Sequence, residues 1–193
     1  MKRAGATLIE TLIGLSLLCL LMLMMFFIYR VGASAWKKSE AQTQLLQEGQ
    51  VVTGRLSREV ERSVYDSASL DPGPNNGTAV AFLTCWNETA NRYEYDAASR
   101  SPIWQRYEIC YYDSATQEVR WTQAPFVPST TPAPLGGLAG FRNGGRVLAR
   151  NVTRCDFVLT DHVLELQLEL QRKRYGSDDL EKVELPCRSV FRN

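Results

Sequence analysis

The chain has 193 residues, 45% of them hydrophobic and 22% charged, with 22 basic side chains against 21 acidic ones. A formal charge of +1 excludes a polyanion-binding surface of the kind nucleic acid needs, because phosphate contacts require concentrated Lys and Arg. The composition is that of a folded protein, and the length suits one exported domain of ordinary size behind an N-terminal anchor.

The first element sets the terms for the rest. Lys2 and Arg3 are followed by Ala4-Gly5, then Ala6-Thr7-Leu8-Ile9, a single carboxylate at Glu10, and a run from Thr11 to Tyr29 without any charge. At about 1.5 Å per helical residue this run comes close to the roughly 30 Å of a bilayer's hydrocarbon core. An ionised side chain at mid-membrane costs roughly 2.5 to 3.5 kcal/mol, so Glu10 needs a reason. It can sit near the edge of the span and snorkel to the headgroups. Alternatively, cleavage after Gly5 would create an ammonium on Ala6 that Glu10, one helical turn on or in a neighbouring subunit, neutralises in low dielectric.

Two other readings of this end compete. Ala33-Ser34-Ala35 offers a cleavage site of the signal-peptide type, but the apolar run exceeds the roughly 7 to 15 residues of such a signal and Arg30 interrupts the approach. An uncleaved anchor with its N-terminus inside is supported by Lys2 and Arg3 and opposed by Arg30, Lys37 and Lys38 beyond the run. Both still export the remainder of the chain.

Gly5 followed by Ala6-Thr7-Leu8-Ile9-Glu10 and an apolar run resembles the prepilin leader of type IV pilins and type II secretion pseudopilins. The family usually has Phe where this chain has Ala6. The resemblance implies a leader over residues 1–5, cut after Gly5 by a prepilin peptidase, with Ala6 as the N-methylated mature terminus and Glu10 directing assembly. It implies a transmembrane half-helix over 6–30 and a periplasmic α+β pilin-like domain over 31–193. The location it implies is the bacterial inner membrane, single-pass, with later incorporation into a filament. Other pilin or pseudopilin subunits, the peptidase and an inner-membrane assembly platform are the partners implied.

Beyond Tyr29 no proline occurs before Pro72, and Leu45, Gly49, Val52, Leu56, Val60 and Val64 recur at spacings of three and four. That is an apolar stripe on a helix, so the membrane helix is expected to continue as one rod to about Tyr65, its later part buried on one side. Arg55 and Glu59 stand at a spacing that favours an ion pair along it. Asp71-Pro72-Gly73-Pro74-Asn75-Asn76-Gly77 is a run of turn formers that ends the helical half.

From there the period changes to that of strands. Thr78–Trp86 reads as a strand and Arg92–Tyr95 as a short one. Ile103–Tyr112 and Glu118–Gln123 form a hairpin around Asp113–Gln117. Ala124–Gly145, rich in Pro and Gly, reads as a long loop. Val147–Ala149 and Asn151-Val152 lead into a strand at Cys155–Thr160. His162–Leu170 alternates strictly, with Leu164, Leu166, Leu168 and Leu170 on one face. Leu180–Phe191 returns as a last strand in which Pro186 marks an edge or a bulge. One long helix followed by antiparallel strands gives an α+β class with the sheet packed on the helix. The resemblance narrows this to the pilin fold. The Tyr-rich strand with its return from Tyr107 to Trp121, and Val147-Leu148-Ala149-Arg150-Asn151-Val152 before the last strands, is similar to J-type minor pseudopilins and PilW-like minor pilins.

Cys19 lies in the apolar run, where a thiol behaves as a small hydrophobe. Cys85, Cys110, Cys155 and Cys187 fall in the exported part, where disulfides are permitted; three connectivities are open, with four buried free thiols as the alternative. Order along the chain suggests Cys85 with Cys110 and Cys155 with Cys187. Zinc is disfavoured by the lack of a C-x-x-C pair and by a single histidine, His162.

No catalytic constellation, cofactor motif or metal set is expected. His162 has Asp161 and Glu165 nearby, but the leucine alternation accounts for the segment. Asp178-Asp179 with Glu181 lacks an EF-hand spacing and reads as a solvated turn. Asn76, Asn87 and Asn151 stand in N-x-Ser/Thr sequons, without consequence behind a bacterial leader. Two functions therefore remain: a structural filament subunit, or a membrane-anchored periplasmic binding or adhesion domain using the Ala124–Gly145 loop.

Overall fold

The computed structural model of the chain describes residues 8–72, 76–174, 176 and 178–192. One helix, α1, runs unbroken over Leu8–Val60. Uninterrupted i to i−4 pairing is possible because no proline falls within it. Its end comes where Val64 adopts an extended conformation before a short 3-10 turn at Tyr65–Ser67. The predicted stripe is the buried one: Leu45, Gly49, Val52, Leu56 and Val60 face inward, joined one turn earlier by Ala41. Val64 lies past the helix end, half-buried against a second cluster.

The strands are β1 (Ser69–Pro72), β2 (Asn76–Thr84), β3 (Trp86–Asn87), β4 (Arg92–Tyr93), β5 (Trp104–Asp113), β6 (Glu118–Ser129), β7 (Arg146–Ala149), β8 (Val152–Thr160), β9 (Val163–Lys173) and β10 (Leu180–Val190). Eight of them form one sheet in the order β10-β9-β8-β2-β5-β6-β7, with β1 also on β2, while β3 and β4 pair separately. Each of these ladders is antiparallel. Helix α1 touches β7 at one edge of the sheet and β10 at the other, so the sheet curls around it. The architecture is α+β.

Alternation gives the sheet two apolar faces. Toward α1, Val80, Phe82, Cys110, Val119, Trp121, Phe157, Leu164, Leu166, Leu168 and Leu170 close the main core with Leu45, Val52 and Leu56. On the far side, Ala79, Ala81, Leu83, Ile109 and Tyr111 form a second cluster. A loop covers it.

That loop corrects the sequence expectation in two ways. Its first part, Ala124–Ser129, continues β6 despite Pro125 and Pro128. Strand β7 pairs only with Val119–Trp121, so beyond that point β6 is an edge, and its register on β5 shifts between Trp104 and Arg106; edges and bulges are where a strand admits proline. Its second part lays Leu135, Leu138 and Phe141 on the outer cluster. Tyr107 Oη donates to Ala133 O at 2.8 Å and Tyr111 Oη to Gly144 O at 2.5 Å. Arg142 adds bonds to Asp71 at 2.8 Å and to Thr78 and Tyr112 O at 3.2 Å. Gly145, at φ +89°, brings the chain so close to β6 that an added Cβ would lie 2.4 Å from Trp121 O.

His162, expected to open a strand, instead shares a two-residue turn with Asp161, at φ 66° and 46°. Two left-handed residues are what a type I′ hairpin requires. Pro186 lies on β10, the sheet edge, as expected.

Substitution along the helix seam is the direct test of this packing. Leu56→Ala should lower the unfolding free energy by about 2–5 kcal/mol in chemical denaturation. At Gly49 a Cβ would meet Leu185 Cδ1 at 2.1 Å and Leu170 Cδ1 at 3.3 Å, so Gly49→Val should destabilise by about 1–3 kcal/mol although it removes a helix-breaking glycine.

Candidate functional site: the bare half of the helix

The most unusual surface of the molecule is the first half of α1. From Leu8 to Val31 every large apolar side chain is at least half exposed, and the most apolar 18-residue window has a mean hydropathy of 2.6 with none of it buried. Length and composition make this helix able to cross a membrane. Its few polar groups are internally satisfied: Thr11 Oγ1 donates to Leu8 O at 2.9 Å and Ser16 Oγ to Ile13 O at 2.8 Å. Hydroxyls bonded to their own helix leave no unpaired donor on this apolar surface, as a lipid-facing helix would require.

Glu10 is exposed in the first described turn, where the helix dipole favours an anion. Gly5 and Ala6 lie outside the described residues. Tyr29 and Trp36, each 74% exposed, lie at the end of the apolar run beside Arg30, Lys37 and Lys38.

At its upper end the helix is joined to the sheet by polar groups as well as apolar ones. Ser57 Oγ lies 2.8 Å from Ser189 Oγ and 3.3 Å from Cys187 Sγ. Glu48 accepts the Arg150 N–H at 2.9 Å, and Gln42 donates to Glu181 at 3.2 Å. Glu108, buried on β5, accepts from Arg106 at 3.0 Å, Gln123 at 3.1 Å and the Trp121 indole N–H. The Arg55 guanidinium stacks 4.5 Å above Trp121, and it is Arg62, at 3.9 Å, that pairs with Glu59 rather than Arg55. Burial pushes the Glu59 carboxyl up, reinforced by Glu108 and opposed by Arg62, Arg55 and Arg58.

All five cysteines are free. The pairing suggested by chain order is not one the fold brings together. Cys110 faces the helix and Cys85 the opposite cluster. Cys110 lies opposite Val80, five residues before Cys85 on the same stretch of chain, about 17 Å along the strand. Cys155 and Cys187 stand opposite Leu168 and Leu166, so a whole strand, β9, separates them. Two strand spacings are about 10 Å, beyond the roughly 7 Å limit of a disulfide. Burial pushes the Cys110 thiol up to about 12 and that of Cys155 well above its ordinary value.

Among the described residues no group of three or more His, Cys, Asp or Glu is arranged to hold a metal. Asp178 is paired with Lys173 at 3.1 Å, and Asp179 and Glu181 with Arg174. His162 packs its ring 4.4 Å from Tyr65. In comparisons with known proteins the chain matches no family, no curated protein and no solved structure.

Two outcomes follow from this chemistry. In the native protein at mildly alkaline pH, Cys110 and Cys155 should resist alkylation and become reactive on unfolding without reductant, as read by mass spectrometry. Because its folded-state pKa is raised, Glu59 favours folding when protonated and loses that contribution as pH rises through the raised value. Glu59→Gln should therefore cost no stability at neutral pH and shift the balance toward the folded state, a difference that vanishes as pH falls through the carboxylate range, as read from denaturation midpoints at several pH values.

Proposed function

We propose that this chain is a minor pilin or pseudopilin, a structural subunit of a bacterial type IV pilus or type II secretion pseudopilus. The observation that carries the reading is a single unbroken helix, bare and apolar in its first half and built into an antiparallel sheet in its second. A free-standing domain has no use for such a half-helix. It serves a subunit that must be stored in lipid and then transferred to a bundle of like helices, where close van der Waals packing replaces lipid contact. The Gly5-Ala6 junction and Glu10 agree with that route: prepilin peptidase removes residues 1–5, and the new amine and the carboxylate then cancel as subunits meet. Its fold, in this reading, is the pilin fold, and its work is assembly without turnover. Prepilin peptidase, neighbouring subunits and the inner-membrane assembly platform are its partners.

The competing anchored-receptor reading relied on the Ala124–Gly145 loop as a ligand-binding element. That loop spends Leu135, Leu138 and Phe141 on covering the outer cluster, which leaves the filament reading as the better supported.

Mass spectrometry of the protein from its native membrane should find a methylated Ala6 at the N-terminus. A chain beginning at Met1 or at Trp36 would end the proposal. Glu10→Leu should still be trimmed but enter filaments at a small fraction of the normal level; normal incorporation would remove the pairing argument.

A further inference from the structure

Between α1 and strand β7 lies an open groove of about 650 Å³, within the roughly 300–1,000 Å³ of binding clefts. Val51, Arg55 and Arg58 line it from the helix, Arg146 and Leu148 from the sheet. Elsewhere in the domain Arg106, Arg120, Arg142, Arg150 and Arg174 are each ion-paired with a carboxylate. Among the described residues, Arg55, Arg58 and Arg146 have no such pair. Glu59, the carboxylate on the groove wall, is paired with Arg62 at 3.9 Å.

Two of the three guanidiniums are held in ways that leave their donors open. Arg55 lies 4.5 Å over the Trp121 ring, a cation–π contact that uses no N–H group. Arg58 gives only its Nε–H, to Gly54 O at 3.2 Å, so its terminal NH2 groups remain. Arg146 is exposed at the edge strand. Such forks are matched by carboxylates. Residues three apart on a helix have Cβ atoms about 5–6 Å apart, and alternate side chains of an extended chain stand about 6.5 Å apart, so carboxylates at alternate positions meet Arg55 and Arg58 together. Gln47 and Gln50, exposed on the same wall, offer amides to a peptide backbone, and Val51 and Leu148 offer apolar contact. Arg55 stands 24 residues beyond Val31, about 36 Å along the helix, whereas a headgroup layer is roughly 5–8 Å thick. A protein, and not a lipid, is the acidic partner that reaches this height.

We propose that the groove between α1 and β7 binds an extended acidic segment of a partner protein, with alternate carboxylates held by Arg55 and Arg58 on one side and by Arg146 on the other. The site is independent of the filament reading. Because Arg55 and Arg58 are already positioned, little of the binding free energy goes into ordering them. Glu59 opposes the ligand by like-charge repulsion.

The test uses the full chain in an uncharged detergent and the end-capped peptide Glu-Val-Glu-Thr-Glu-Val-Glu carrying an uncharged fluorescent label, with binding read by anisotropy. Binding should saturate and should weaken as salt is raised. Exposed guanidinium–carboxylate contacts are each worth about twofold to fivefold in affinity, so Arg58→Gln with Arg146→Gln should weaken binding about fivefold or more. Glu59→Gln should tighten it about twofold or more by removing the like charge. Arg188→Gln, on β10 at the other edge of the sheet, should leave it unchanged. Absence of saturable binding would overturn the proposal, as would equal binding of the same peptide with Gln in place of Glu. Equal weakening by Arg188→Gln would also overturn it, by showing attraction without a site.

Discussion

The seam between the second half of α1 and the curled sheet is the constraint on which the rest depends. Ala41, Leu45, Gly49, Val52, Leu56 and Val60 put six contacts on one face of a helix, and Gly49 lets Leu185 and Leu170 approach its backbone. The sheet must bend to reach that face from both edges, since β7 and β10 both touch the helix. Bending in turn creates a concave face for the main core and a convex one that would be left bare. The Pro- and Gly-rich segment after β6 covers it.

Continuity of α1 turns this packing problem into a functional arrangement. A helix nucleated and held by the domain over its second half needs no further support to remain helical over its first, because propagation along an existing helix is favourable. The bare half is therefore a rigid extension of the domain, and any force on one is felt by the other. The polar ties at Ser57–Ser189, Glu48–Arg150 and Gln42–Glu181 add direction: they fix the rotation of the helix about its axis, which an apolar seam alone leaves loosely determined.

The buried polar groups show how electrostatics is accommodated under the helix end. Glu108 is surrounded by donors from Arg106, Gln123 and Trp121, so its burial leaves its carboxylate oxygens bonded. Glu59 has no comparable set of donors and carries the raised pKa. The two carboxylates approach each other because the helix stripe and the strand alternation each obey their own period, and the seam that satisfies both brings an acid from each side to the same level.

Much of this was legible in the residues themselves. The helix stripe from Leu45 to Val60, the strict alternation of Leu164 to Leu170, the Asp113–Gln117 turn and the apolar run after Glu10 are all local patterns, and local patterns follow from the 3.6- and 2-residue periods of helix and strand. What they determined was the class, one long helix and an antiparallel sheet, and which residues face inward. Pairing across the sheet is not local. Whether Cys155 meets Cys187 depends on β9 lying between them, whether Pro125 ends a strand depends on where β7 stops, and whether a Pro/Gly segment is a free loop or a cover depends on a bare apolar face on the other side of the molecule. Those are decided by which strands become neighbours, a choice made by burial summed over the whole chain, and only the tertiary structure expresses it.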